Sequence, residues 1–241
     1  MNPSLFPRAA SWWDDLEVPR DVANAKPDIL RDWLAENTPD PMEHDFILYT
    51  DGSGCTSGWG AYAAAYDEII GDGENPRHAA SHDVRIGATY GSTVQRCELT
   101  ALLEGLHAIL YRAIARTLAN ESDERLTGLS DLTGDRRVTV CWYTDRLNLA
   151  RALLFDESGQ PLDSRAKERD LWLRYSAFAK HVCITPNPMP RNVIGQQERM
   201  DKVCDIARHS LKAKCLEMAV AMNSTIDILQ WTTPRPQKAL F

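Results

Sequence analysis

The chain has 241 residues, of which 44% are hydrophobic and 25% charged, with a formal net charge of −7. This is the composition of an ordinary globular protein with one well-filled core and an appendage, and no apolar run reaches the roughly 20 residues that a membrane-spanning helix needs. The charge is uneven: residues 1–45 carry ten acids against four bases, whereas residues 161–215 carry eleven bases against six acids. That excludes a uniformly basic nucleic-acid coat but suits local contact with phosphates. The opening stretch, MNPSLFPRAASWWDD, has no basic segment followed by an apolar one, so no secretory signal is expected. The cysteines at 55, 97, 141, 183, 204 and 215 form no C-x-x-C pair. They fit buried thiols in a reducing, cytoplasmic setting, with no structural zinc site.

In chain order, residues 1–44 form an acidic extension broken by prolines, with one short helix predicted over 27–36. Pro27 suits its first turn, and Ile29, Leu30, Trp33 and Leu34 form an apolar face. This extension, with Trp12 and Trp13, is a candidate docking segment for a protein partner, although packing onto its own domain is favoured. From residue 46 the pattern changes. FILYT reads as a strand that Asp51-Gly52-Ser53-Gly54 ends as a turn; 59–66 and 83–90 complete an antiparallel meander. Leu99, Leu102, Leu103, Leu106, Ile109, Leu110, Ala113 and Ile114 recur at three- and four-residue steps, which predicts a long helix over 94–118. A polar loop (119–136), the strand VTVCWYT, a short helix (147–154), a helix at 166–179, the strand HVCIT, a Pro-rich loop (186–190) and a long helix over 196–222 follow. A short strand is expected at 226–231. The domain reading is 1–44 extension, 45–222 α/β domain and 223–241 tail. The helix after the meander is long enough to be a crossover, which makes VTVCWYT parallel to FILYT.

Two strands end alike, in LYT-Asp51 and WYT-Asp145. As parallel neighbours they bring both carboxylates to adjacent strand tips, where open α/β sheets place their sites. Glu98 opens the long helix on the edge of the face directed at the sheet. Carboxylates gathered this closely require protons or cations, and a hard divalent ion such as Mg²⁺ is the natural partner. Asp201, early in the last helix, is the fourth candidate, with Asp205 one turn later as its rival.

The runs YTDGSG, TVQRCEL, YTDRLNLA and QERMDKVC, in that order, resemble the four signature stretches of the ribonuclease HI family. The resemblance covers roughly residues 46–215. It implies a ribonuclease H-like fold, a five-stranded mixed sheet flanked by helices. It also implies two Mg²⁺ ions, with Mn²⁺ as a substitute, held by Asp51, Glu98, Asp145 and Asp201. The implied activity is an endonuclease hydrolysing the RNA strand of an RNA–DNA hybrid to 5′-phosphate and 3′-hydroxyl ends. Gly52, Ser53, Gly54, Gln95 and Arg191 are the implied substrate contacts.

The sequence departs from the family at several places. Arg191 stands where a His is common, Arg146 and Leu147 replace Ser and Gln, and Gln197 replaces Asn. The loop after Asp51 is short. No typical basic protrusion is present, although Arg165, Lys167, Arg169, Arg174 and Lys180 offer a substitute. The competing readings are a Holliday-junction resolvase or other DNA nuclease on the same fold, and a catalytically inactive binding or assembly module. A proofreading exonuclease is disfavoured because Asp51 is not followed by x-Glu. The run DGSGCTSGWG lacks the Gly-Lys-Ser/Thr ending of a phosphate loop.

Overall fold

The computed structural model describes residues 19–23, 25–70, 77–80, 84–120, 137–154, 168–189 and 195–221. Trp12, Trp13, Arg165, Lys167, Arg191, most of the 119–136 loop and the strand expected at 226–231 lie outside the described residues. The elements are α1 (Arg20–Ala23), α2 (Pro27–Asn37), a 3₁₀ turn (Pro41–Glu43), β1 (Phe46–Gly54), β2 (Trp59–Ile70), β3 (Arg77–Ala80), β4 (Arg85–Tyr90), α3 (Val94–Asn120), β5 (Val138–Thr144), α4 (Leu147–Leu154), α5 (Arg169–Phe178), β6 (Val182–Pro188) and α6 (Gly195–Ala221). No helix among the described residues is long and apolar enough to cross a membrane.

The strands form one mixed sheet. β1 pairs antiparallel with β2 and parallel with β5; β5 pairs parallel with β6. Crossover through α3 makes β5 parallel to β1, as the length of that helix predicts. This is the α/β architecture expected from the sequence, an antiparallel meander joined to parallel strands and flanked by helices.

Four strand boundaries differ from expectation. β2 runs on to Ile70, four residues past the expected end at Tyr66. The third meander strand is split: β3 and β4 both pair antiparallel with β2, so six strands occupy five positions. Ala80 lies opposite Asp67 and Arg85 opposite Ala64, so β3 and β4 meet different stretches of the one long strand β2. β1 does not end at Asp51. Its pairing with β2 continues to Gly54, whereas its pairing with β5 stops at Tyr49. β6 takes in part of the Pro-rich loop. The N–H of Met189 donates to the carbonyl of Thr144, so by alternation Pro186 and Pro188 occupy positions whose missing N–H would point away from the sheet.

Helix α2 covers that outer edge. Arg31 Nε donates to the Pro188 carbonyl at 3.1 Å, and Leu30 and Leu34 are buried. Ile29, expected on the same face, is exposed. His44 bridges the Asp40 carbonyl and Thr185 Oγ1, tying the chain before β1 to β6.

Alternation along β1 divides the core. Phe46 and Leu48 join the layer under α3, with Leu99, Leu102, Leu103 and Leu106; Ile47 and Tyr49 join the layer under α6, with Met200 and Cys204. Helix α3 lies close on the sheet at Gly105, where a Cβ would meet Leu48 Cδ1 at 2.4 Å. A helical glycine costs about 1 kcal/mol relative to alanine, and here the tight contact with β1 offsets it. Cys97, Cys141, Cys183 and Cys204 are buried, reduced thiols, and burial pushes Cys141 up to about 12.

Candidate active site

Asp51 continues the face of β1 that carries Ile47 and Tyr49. Tyr49 pairs with Tyr143 on β5, and their rings stack at 5.5 Å between centroids. Two residues further along this parallel register, Asp51 and Asp145 come level on the same side of the sheet. β5 has ended by then, which opens a gap beside β1.

Glu98 reaches that gap from the opposite face, in the first turns of α3. The approach requires Gly52. A Cβ there would lie 2.3 Å from the Glu98 nitrogen and 2.7 Å from the Cys97 carbonyl carbon. Only a residue without a side chain lets the helix backbone rest on β1 at this point. As a result Asp51, Glu98 and Asp145 each offer a carboxylate oxygen, and these lie within 4.8 Å of one another. Asp51 and Glu98 are buried; Asp145 is half-buried and marks the open side.

The electrostatics follow from this geometry. The Glu98 carboxyl is held well above its ordinary range, first by burial and then by the charge of Asp51, with Arg146 opposing the shift. Arg146 Nε donates to Glu98 Oε1 at 2.8 Å and lies 3.8 Å from Asp145 Oδ1. Glu98 Oε2 is buried without a hydrogen-bond partner. An orphaned carboxylate oxygen inside a group of three acids fits a hard divalent cation, whose oxygen ligands crowd within such distances.

Helix α6 is docked beside the site by two buried residues. Gln197 Nε2 donates to the Thr50 carbonyl, and Cys204 Sγ donates to the Asp51 carbonyl at 3.1 Å. Asp201 follows the buried Met200 and is half-buried, outside the group of three. Asp205 is otherwise engaged. It accepts from Ser53 Oγ at 2.7 Å and from Arg208 at 2.8 Å, and Ser53 foremost holds its carboxyl below the usual range.

Of the remaining expected contacts, Gly52 is buried, Ser53 and Gly54 are half-buried, and Gln95 is exposed on the first turn of α3. The basic residues are dispersed. Arg169 and Lys180 are exposed, while Arg174 pairs with Glu104. Arg96 is clamped by Glu168 and Asp170, which joins α3 to α5. Sequence reasoning missed two roles: Arg146 as a partner of Glu98, and Gln197 as the anchor of α6. Their departures from the family motif were the available signals.

No protein-family model and no curated protein sequence matches the chain. Similar solved structures include a foamy viral protease-reverse transcriptase in complex with double-stranded DNA, at 15% identity and a TM-score of 0.46, covering 72% of this chain and 99% of that one. Another is the N-terminal RNase H domain of a Mycobacterium tuberculosis protein, at 13% identity and a TM-score of 0.45, with 71% and 99% covered. RNase H1 from Halobacterium salinarum matches at 17% identity and a TM-score of 0.41, with 67% and 96% covered. The likeness is one of fold.

Proposed function

We propose that the chain is a metal-dependent nuclease acting on the RNA strand of RNA–DNA hybrids. The observation that carries this reading is the convergence of Asp51, Glu98 and Asp145 around a buried, orphaned carboxylate oxygen. Such a group is stable in its charged form only beside a cation.

Asp51, Glu98 and Asp145 would hold the metal, with Asp201 as the fourth acid on the adjoining turn of α6. When bound, a divalent cation supplies charge for the scissile phosphate and lowers the pKa of water. The rest falls to the chain itself. Asp51 and Glu98 are rigid, held by a strand and a helix that meet at Gly52. Asp145 lies on the open side, where a phosphate can enter. Exposed Gln95 and the backbone of Gly52–Gly54 are proposed to contact the sugar-phosphate chain, reading the 2′-hydroxyl that separates RNA from DNA. Water oxygen joins phosphorus as the bond to the 3′-oxygen breaks, leaving a 5′-phosphate and a 3′-hydroxyl.

The test is cleavage of end-labelled RNA–DNA hybrid, duplex DNA, duplex RNA and a four-way junction, with Mg²⁺, Mn²⁺ or chelator, beside Asp145→Asn. Metal-dependent cutting of hybrid alone, lost in the variant, supports the reading. Cutting of duplex DNA or the junction instead keeps the acidic site but moves the substrate. No cutting by folded protein refutes the enzyme and leaves a binding module.

A further inference from the structure

We propose that Arg146 stands in for a second cation, so that the protein without nucleic acid binds one divalent ion rather than two. This rests on the metal-site reading above and concerns how many ions that site takes.

Three observations carry the inference. The first is charge. Asp51, Glu98 and Asp145 contribute three negative charges and Arg146 one positive, leaving two for a single divalent ion to neutralise. The second is position. The Arg146 backbone is pinned as α4 begins: its N–H donates to Thr144 Oγ1, and its carbonyl accepts from the N–H groups of Leu149 and Ala150. From that anchor the side chain returns to the acids, with Nε at 2.8 Å from Glu98 Oε1 and 3.8 Å from Asp145 Oδ1. It therefore takes the space between two candidate ligands. The third is what remains. Glu98 keeps one oxygen, Oε2, buried and without a hydrogen-bond partner, and so available to one ion.

The experiment counts ions on the full chain, without nucleic acid, by calorimetric titration with Mn²⁺ and by the loss of the free Mn²⁺ electron-paramagnetic-resonance signal. The wild type is expected to bind one Mn²⁺ per chain. Arg146→Ala and Arg146→Gln are expected to bind two, whereas Arg146→Lys, which keeps the charge, still binds one. Gln retains a hydrogen-bond donor for Glu98, so it guards against an alanine variant that fails to fold. A second ion in the Gln variant also separates loss of charge from loss of a contact. Two ions in the wild type overturn the proposal, as does a single ion in both neutral variants. One ion in the wild type with no cleavage of any substrate refutes the nuclease reading and leaves this one standing. No ion bound by the wild type or any variant overturns both.

Discussion

Replacing Glu98 with Gln tests whether the site is a place of stored repulsion. Carboxylate oxygens within 4.8 Å of one another repel by about 3 kcal/mol per pair at an effective dielectric constant near 20. Glu98 faces two such neighbours and is fully buried, while a single guanidinium at 2.8 Å opposes them. Gln preserves the shape and removes the charge. Arg146 loses an ionic partner, but its side chain is 39% exposed and regains water. The net expectation is that Glu98→Gln stabilises the metal-free protein by roughly 1–3 kcal/mol and abolishes both cation-dependent stabilisation and cleavage. Urea and thermal unfolding in chelator and in Mg²⁺ read this directly. The wild type should gain stability from Mg²⁺ and the variant should not. A variant less stable than wild type in chelator, or one that Mg²⁺ stabilises equally, would refute the reasoning.

Other consequences follow from the same geometry. The raised Glu98 carboxyl means that the native state holds its proton above pH 4.5, where the unfolded chain has released it. Stability of the metal-free protein therefore falls as pH rises from about 4.5 toward the folded value, and Glu98→Gln removes that part of the slope in a pH series of urea titrations. Gly52→Ala sets a methyl 2.3 Å from the Glu98 nitrogen, against backbone that cannot turn aside. It should cost about 3 kcal/mol in urea unfolding and weaken Mn²⁺ binding. Asp201→Asn should slow cleavage about tenfold if Asp201 is the fourth acid. Asp205→Asn should change the rate less than twofold while costing about 1 kcal/mol of stability, because its contacts are with Ser53 and Arg208.

Much of the fold and part of the site were legible before any tertiary information. Periodicity located α3 and α6 to within a few residues and the strand VTVCWYT without error, because each presents a repeating apolar face to the core. The matched strand endings and the acid at the helix start marked Asp51, Glu98 and Asp145. What periodicity cannot report is which backbone lies opposite. The continuation of β1 past Asp51, the split of the third meander strand and the outward prolines of β6 all depend on register with a neighbouring strand. Gly52 reads as a turn residue in the sequence, yet it is the point where a helix and a strand touch. Arg146 reads as a surface base beside an acid, and only the arrival of α3 through the gap beside β5 gives it Glu98 as a partner. The hold of Ser53 on Asp205 likewise has no local signal, because the two lie 152 residues apart along the chain. Local pattern, then, determined which residues form elements and which faces they bury, while the charges that meet at the end of the sheet were decided by contacts between segments far apart in sequence.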